Sequence, residues 1–248
     1  CDMGYLSFDE PFKKLVHQGM ILAADGEKMS KSKGNTVSPD EYIEKFGSDV
    51  LRTYLMFAFN YIDGGPWNED GVKAIDKFLT RVYRLVEQYN GNEAKERYQD
   101  IDYVLNNTIK SVRTDIEKFQ MNTSIARIME YVNILTKYNS TGREIPKYYL
   151  EQLTLLIAPF APHQAEEMWS LLGHEPSVHN QPYPEFDETK LVISTYEMVI
   201  QVNGKVRAKE NMDIKTTKED MEKIALANEN VQKFTAGKKI INIVVIPG

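Results

Sequence analysis

Hydrophobic residues recur at steps of three and four positions through the middle of the chain. The first run follows Asn68 and places apolar side chains on one helical face at Val72, Ile75, Leu79, Val82 and Val86. Four similar runs begin at Ile101, Ile125, Leu150 and Ala165. The breaks between the runs fall near Gly91, Gln120, residues 140–142 and Pro159. Because the connections are short, the pattern predicts an antiparallel helical bundle over residues 67–175.

Residues 1–66, which precede the bundle, carry a clear helix start. Ser38, Pro39 and Glu41 have the types and spacing expected there, with Ser38 as the N-cap and Glu41 completing a capping box. Gly47 is placed to end that helix. A Gly-Gly-Pro break then separates this segment from the bundle.

Beyond the bundle the hydrophobic period changes. Residues 176–192 are rich in proline and polar residues, which predicts a linker. Apolar residues then alternate on both sides of Asn203-Gly204, which predicts a β-hairpin because both residues tolerate positive φ. A helix is predicted over 217–234 and a buried strand over 240–246. Residues 193–248 are therefore expected to form a small α/β domain, truncated because a partner strand is missing.

Composition supports a globular protein. The chain has 248 residues, of which 42% are hydrophobic and 27% charged, and this excludes intrinsic disorder. No apolar stretch is long enough to span a membrane, and no secretory leader is visible. The single Cys1 excludes a disulfide framework and a cysteine-rich zinc site, so a cytoplasmic location is expected.

The net charge is −6, which by itself argues against binding to nucleic acid. Its distribution is uneven. Residues 1–66 carry 7 basic and 10 acidic groups, and residues 67–192 carry 14 and 19. Residues 193–248 carry 9 basic and 7 acidic groups and are therefore weakly positive. Different parts of the chain are expected to have different partners.

The most unusual stretch is the loop at residues 25–35, where three lysines alternate with serines between glycines. Lys28, Lys31 and Lys33 could present ammonium groups to a polyphosphate while the glycines let the loop close and open. The P-loop pattern does not fit these residues. Composition alone leaves a solvated charged linker equally open.

The string Lys28-Met29-Ser30-Lys31-Ser32 is identical to the signature of the synthetases that activate amino acids on a Rossmann-type domain. Its surroundings resemble leucyl-tRNA synthetases of the bacterial type over nearly the whole chain. Matching stretches, in the family's order, are residues 11–22, 33–35, 47–52, 66–67, 121–126, 158–163 and 201–207. Valyl and isoleucyl enzymes share the signature loop, but the C-terminal hairpin is not expected in them.

The resemblance implies ATP-dependent attachment of leucine to tRNA(Leu) through leucyl-adenylate. Lys28 and Lys31 would be the catalytic lysines, offsetting charge on the triphosphate as pyrophosphate leaves. ATP-binding residues would include Met29, Ser30 and Ser32, with main-chain contacts to adenine from the strand residues Met20 and Ile21. Magnesium would accompany ATP as its counter-ion, and no protein-bound metal is expected.

One family signature is missing. The H-x-G-H motif, whose histidines contact ATP in the family, does not occur among the four histidines of this chain. Residues 1–66 would therefore be only the C-terminal edge of a Rossmann-type catalytic domain. The chain is expected to be a C-terminal fragment, inactive alone, that needs the N-terminal part of the same enzyme as a partner. A monomer is expected.

Two sets of basic residues are candidates for tRNA contact. Arg81 and Arg84 are three apart and share a face of the first bundle helix. Lys205, Arg207 and Lys209 alternate along the hairpin, which predicts that all three emerge from one strand face. For both sets, ordinary solvated cations are the alternative.

Two other functions stay open at this point. One is a non-catalytic tRNA- or RNA-binding module derived from a synthetase. The other is a related ligase that adenylates an amino acid without tRNA, which the bundle and hairpin domain argue against.

Overall fold

A computed structural model of the chain describes residues 3–10, 12–91, 97–191, 195–213 and 216–245. Some residues that enter the predicted domains, matching stretches and final strand lie outside the described residues, namely 1–2, 11, 92–96, 192–194, 214–215 and 246–248. The chain forms two compact units, Cys1–Asp187 and Glu188–Gly248.

The described part of the first unit contains seven α-helices and one small parallel sheet. In chain order they are β1 (Met20–Leu22), α1 (Pro39–Phe46), α2 (Ser48–Ala58), β2 (Gly64–Pro66), α3 (Glu69–Glu87), α4 (Gln99–Glu117), α5 (Met121–Ser140), α6 (Lys147–Ile157) and α7 (Pro162–Leu171). The prediction of a mainly α-helical chain with small β elements is confirmed. No helix among these described ranges is long and apolar enough to cross a membrane.

The five predicted apolar runs form the core of α3 to α7. Fully buried members from each run include Val72, Ile109, Ile128, Leu153 and Met168. Only three residues separate α4 from α5, so these long helices can pack side by side only if the chain reverses direction. The runs could be predicted because a helix repeats every 3.6 residues and one face was consistently apolar.

The helix start at Ser38 differs in detail from the prediction. Ser38 occupies the N-cap position and Pro39 begins α1, but the Ser38 side chain makes no capping hydrogen bond. The predicted capping box with Glu41 is therefore wrong. Pro39 has a φ suited to the first helical turn and lacks the N–H that would otherwise need a partner, so α1 can begin without the box.

Strands β1 and β2 run parallel, with Met20 opposite Gly64. A side chain at Gly19 would meet the Gly64 nitrogen at 2.1 Å, and one at Gly64 would meet the Met20 carbonyl oxygen at 2.2 Å. Gly64 also has a φ of 68°. The two backbones approach this closely only because both positions are glycine.

Trp67 connects β1 to three helices. Its main-chain N–H donates to the Leu22 carbonyl at 2.9 Å. Its ring packs edge-on against Tyr42 of α1 and Tyr54 of α2, with centroids 4.9 and 4.8 Å apart. Trp67 Nε1 donates to the Tyr42 hydroxyl, and the Tyr54 hydroxyl accepts from the main chain of Asn68, the N-cap of α3.

Helix α2 also caps α7 from a distance. The carboxylate of Asp49 accepts from His163 Nδ1 at 2.8 Å and from the Gln164 main-chain N–H at 2.7 Å. Asp49 is only 9% exposed, and α7 has no capping side chain of its own. Thr53 Oγ1 donates to the Phe160 carbonyl in the same connection. The start of α7 is therefore completed by residues more than a hundred positions earlier in the chain.

A buried polar cluster holds α4, α5 and α6 in register. The Tyr149 hydroxyl donates to Asp102 Oδ1 at 2.8 Å and accepts from the Tyr98 main-chain N–H at 2.9 Å. Tyr131 donates to the Tyr149 carbonyl. Burial raises the pKa of Tyr149 and of Tyr131 above the ordinary tyrosine value, so both phenols stay protonated and act as donors at neutral pH.

In the second unit, β3 (Thr195–Val202) and β4 (Lys205–Asp213) form the predicted antiparallel hairpin. Asn203 and Gly204 at its turn have φ values of 52° and 73°. The hairpin prediction is confirmed because this dipeptide is one of the few that adopt positive φ at both central positions.

The predicted single helix over residues 217–234 is wrong. The structure has two helices, α8 (Lys218–Ala227) and α9 (Glu229–Thr235). Asn228 breaks the run because its side chain accepts from the N–H groups of Asn230 and Val231 and starts a new helix. Thr217 does cap α8, where its hydroxyl accepts from the Asp220 N–H.

The predicted buried strand over residues 240–246 is also wrong for its described part. Residues 240–245 form no strand, and Ile241 is 96% exposed. An apolar β-prone run becomes a strand only when a neighbouring strand satisfies its main chain, and the described residues of this unit provide no third strand.

Replacing Asp49 tests the contact between α2 and α7. In Asp49→Ala, the N-terminus of α7 loses its acceptor, and we expect the free energy of unfolding of the chain to fall by about 2–3 kcal/mol. Chemical denaturation followed by circular dichroism measures the change. Asp40→Ala is the matched control, because Asp40 is an exposed carboxylate in the first turn of α1. Equal losses in the two variants would contradict the role given to Asp49.

Candidate functional site

The lysine-rich loop begins directly beside β1. The Ala23 N–H donates to the Glu27 carbonyl at 2.8 Å, and the Gly26 N–H donates back to Ala23 at 2.9 Å. This turn brings Lys28 opposite Leu22 as an isolated antiparallel bridge. The signature string therefore starts at the end of the only strand pair described in this unit.

Within the signature, two residues hold the loop in place. Met29 is half-buried and packs against the hydrophobic core. Ser30 is the N-cap of a short 3₁₀ turn, Lys31–Lys33, where its hydroxyl accepts from the Lys33 N–H at 3.3 Å. The Ser32 hydroxyl lies 3.2 Å from that of Ser30. The predicted ATP-binding residues Met29 and Ser30 thus have clear structural roles.

The lysines point outward. Lys28 and Lys31 are exposed, and neither has an ion-pair partner in the described part of the chain. Lys33 differs, because its ammonium lies 3.0 Å from the Glu27 carboxylate. The two lysines for which the resemblance implies a catalytic role therefore present positive charge to solvent without an ion-pair partner among the described residues. This is the arrangement that attracts a polyphosphate.

A pocket lies beside the loop on the side of α1. It has a volume of about 460 Å³ and is lined by Lys31, Thr36, Val37, Ser38, Glu41 and Tyr42. The lining combines one ammonium group, three hydroxyls and one carboxylate. No cluster of three or more metal-ligating side chains occurs among the described residues of either unit.

The predicted adenine-contacting residues lie on β1. Met20 is 52% exposed, whereas Ile21 is half-buried and packs against the core. Because β1 pairs with β2 along one edge, the main chain of both residues is held in an extended conformation next to the loop.

The exposed face of α3 carries the first set of RNA candidates. Arg81 and Arg84 are both exposed, as the helical spacing predicts. Lys77 is exposed four residues before Arg81 and extends the same face by one turn. Lys77 was not among the predicted candidates, although its i, i+4 spacing to Arg81 indicates that it shares this face.

The prediction that Lys205, Arg207 and Lys209 share one face is wrong. Gln201 pairs with Val206 and Ile200 with Ala208, so Arg207 is the extra residue of a β-bulge. A bulge reverses the alternation of side chains along the strand. Lys205 pairs with Val202 and Lys209 with Val199, residues of opposite parity on β3, so the two lysines lie on opposite faces of the hairpin.

Arg207 itself packs inward. Its guanidinium carbon lies 3.7 Å from the centre of the Phe234 ring on α9. Its Nε is buried and has no hydrogen-bond partner among the described residues. Arg207 therefore joins the hairpin to α9 instead of projecting from the strand. Sequence alone gave no signal for the bulge.

Two family models of tRNA synthetases match this chain. The family model described as tRNA synthetases class I (I, L, M and V) matches residues 5–63, which include the lysine-rich loop. The model described as the anticodon-binding domain of tRNA ligase matches residues 98–224, just over half of the chain. The chain therefore belongs to the anticodon-binding domain family of tRNA ligases.

Within that class, the similarity is to leucine–tRNA ligases. The ligase of Caldanaerobacter subterraneus subsp. tengcongensis is 48% identical over 258 residues, covering 99% of this chain and 32% of that protein. The ligase of Clostridium tetani is 47% identical, covering 100% of this chain and 32% of that protein. The chain thus spans about a third of the length of these curated relatives and matches their C-terminal part.

Two solved synthetase structures are also similar to this chain. The Agrobacterium radiobacter K84 agnB2 LeuRS, in a ternary complex with tRNA and LeuAMS, has a TM-score of 0.70 and 32% identity, covering 99% of this chain and 33% of that one. The Mycobacterium tuberculosis methionyl-tRNA synthetase bound to methionyl-adenylate has a TM-score of 0.54 and 20% identity. The match covers 64% of this chain and 38% of that one. The second match shows a likeness of fold alone.

The inward position of Arg207 is testable. In Arg207→Ala, the contact with Phe234 is lost, and we expect the free energy of local opening of α9 to fall by about 1–2 kcal/mol. Hydrogen exchange of the α9 amides measures this change. Lys205→Ala is the control, because Lys205 is an exposed cation on the same strand. If both variants exchange alike, Arg207 does not hold the helix.

Proposed function

We propose that this chain supplies the ATP-contacting signature loop and the tRNA-contacting domains of a leucine–tRNA ligase. The observation that carries the proposal is that Lys28 and Lys31 are exposed and have no ion-pair partner among the described residues. They lie on a loop in which Met29 packs against the core and Ser30 caps the turn. The leucine–tRNA ligase relatives support the amino acid and the reaction class.

The proposed chemistry is electrostatic. When the leucine carboxylate attacks the α-phosphorus of ATP, the bond to pyrophosphate breaks and negative charge grows on the leaving group. Lys28 and Lys31 would stabilise that charge, with Lys31 closest to the transition state. The hydroxyl of Ser32 would add a hydrogen bond, and the main chain of Met20 and Ile21 would contact adenine. Magnesium would enter with ATP as its counter-ion.

Residues 1–66 are proposed to be one edge of a Rossmann-type catalytic domain. Because this chain has no H-x-G-H motif, adenylate formation would need ATP-contacting histidines from the N-terminal part of the enzyme. We therefore propose that the chain alone does not form leucyl-adenylate. Residues 176–192 would link the bundle, residues 67–175, to the last domain, residues 193–248. A cytoplasmic monomer is part of the same proposal.

tRNA(Leu) is the proposed macromolecular partner. The related LeuRS structure contains tRNA, which supports an RNA surface on this part of the fold. On the bundle, Arg81 and Arg84 would contact phosphates, since both are exposed on one face of α3. On the hairpin, Lys205 and Lys209 remain candidates, but they would contact different parts of the RNA because they lie on opposite faces. Arg207 would act indirectly by holding α9.

A chimaeric enzyme tests the catalytic part of the proposal. In it, this chain replaces the matching third of the Caldanaerobacter ligase. We expect leucine-dependent ATP–pyrophosphate exchange, and we expect Lys31→Ala to lower its rate by about 100-fold because a transition-state contact is lost.

The control for that assay is Lys137→Ala, which removes an exposed lysine from the last turn of α5. Its exchange rate should match the unsubstituted chimaera. An inactive chimaera, or equal rates for Lys31→Ala and Lys137→Ala, would refute the assignment of the loop.

A salt titration tests the RNA surface. We expect the double variant Arg81→Ala/Arg84→Ala to bind tRNA(Leu) more weakly and with a slope of log affinity against log salt reduced by about 2, because two phosphate contacts are lost. Fluorescence anisotropy of the chain with labelled tRNA measures this slope. The control is Arg127→Ala, whose side chain lies 3.5 Å from Glu130. An unchanged slope in the double variant would remove α3 from the interface.

A further inference from the structure

We infer that Asn35, three residues beyond the signature, is the positioning residue that fixes the two catalytic lysines relative to each other. The inference rests on the proposed function of the loop. Its basis is a pair of hydrogen bonds from one side chain to the main chain of the signature. The Asn35 Oδ1 accepts from the Ser30 N–H at 2.9 Å, and its Nδ2 donates to the Lys28 carbonyl at 3.4 Å.

The two bonds require an amide. Ser30 offers a donor and Lys28 offers an acceptor, so the side chain between them must carry both kinds of group. Asn35 is half-buried, whereas Lys28 and Lys31 are exposed. Because the bonds of the clamp go to main-chain atoms, the ammonium groups of both lysines stay free of it.

Gly34 brings Asn35 back to the start of the signature. Gly34 adopts the left-handed conformation with a φ of 65°, and its N–H donates to the Lys31 carbonyl at 3.2 Å. The left-handed conformation of Gly34 ends the 3₁₀ turn and directs Asn35 back towards Lys28. The Asn35 side chain thus closes a ring of residues 28–35. The backbone of Lys31 lies within this ring, between Ser30 and Asn35, which are bonded to each other.

Two further contacts involve residues of the ring. Within the 3₁₀ turn, the Ser30 hydroxyl accepts from the Lys33 N–H at 3.3 Å. Lys33 and Glu27 form an ion pair at 3.0 Å, but their side chains are 56% and 64% exposed. An exposed pair of this kind is screened by water and salt and contributes little. Asn35 is the side chain that joins the two ends of the ring, because it bonds to the main chain of both Lys28 and Ser30.

Shape matters here because charge stabilisation depends on position. A lysine displaced by about 1 Å from the developing charge can lose about 100-fold in rate although the substrate still binds. Removing the clamp should therefore lower kcat more than it raises KM for ATP. The whole ring can close and open by rotation at Gly26, which precedes it, with the clamp intact.

The test uses the same chimaeric ligase with Asn35→Ala. We expect kcat for ATP–pyrophosphate exchange to fall by about 10- to 100-fold, with KM for ATP changed by less than about threefold. Asn35→Asp keeps the acceptor for Ser30 and loses the donor to Lys28. Its kcat should therefore lie between that of the Asn35→Ala variant and that of the unsubstituted chimaera. The matched control is Asn60→Ala, since the Asn60 side chain accepts from the Ile62 N–H at 2.9 Å elsewhere in the same unit.

A second measurement addresses the clamp without activity. In the full chain, the Ser30 amide should exchange with solvent faster in Asn35→Ala than in the unsubstituted protein, while the Asn60 variant leaves it unchanged. Equal exchange in the Asn35 variant and the unsubstituted chain would overturn the clamp. Lower thermal stability with unchanged kcat and KM would also overturn the inference, because the role would then be merely structural.

The outcomes separate the two proposals. If the unsubstituted chimaera is inactive, or Lys31→Ala has no effect, the function assigned to the loop fails, and the exchange of the Ser30 amide still decides the clamp. If the unsubstituted chimaera is active and Lys31→Ala is impaired while Asn35→Ala is normal, the function stands and the positioning role of Asn35 is wrong.

Discussion

The contacts of Trp67 are the constraint on which the arrangement of the first unit depends. This residue lies between β2 and α3, bonds to β1 through its main chain, and packs its ring between Tyr42 and Tyr54. Each edge-on aromatic contact adds about 0.5–1.5 kcal/mol to the apolar area it buries. Because the lysine-rich loop begins at β1 and the bundle begins at α3, this cluster holds the start of the loop against the helices.

Apolar packing alone would not set the orientation of the elements, since it has no preferred direction. The polar contacts supply the direction. Asp49 places α2 at the start of α7, and the Gln164 side chain on that turn donates to the Leu79 carbonyl of α3 at 2.9 Å. A chain of specific bonds therefore runs from α2, through α7, to α3, the helix that carries the basic face.

The sequence could predict the features that depend on local rules. The helices of the bundle follow from periodicity, and the hairpin turn follows from the φ preferences of Asn203 and Gly204. The features it missed depend on contacts between distant residues or on one competing local bond. The capping of α7 by Asp49 spans more than a hundred positions, the bulge at Arg207 has no sequence mark, and Asn228 divides a helix whose apolar pattern is continuous.

In the signature loop too, the sequence shows which residues are present, whereas contacts in the fold decide what each of them does. Its identity could be recognised from five letters, but the letters do not say that their roles differ. Met29 packs into the core and Ser30 caps the turn, so these two residues hold the loop, whereas Lys28 and Lys31 project from it. Lys33 has the same chemistry as the other lysines but is paired with Glu27. The role proposed for this loop would need a lysine whose charge is unpaired and whose backbone is fixed. Among the described residues, Lys31 meets both conditions, because it has no ion-pair partner and its carbonyl accepts from the Gly34 N–H.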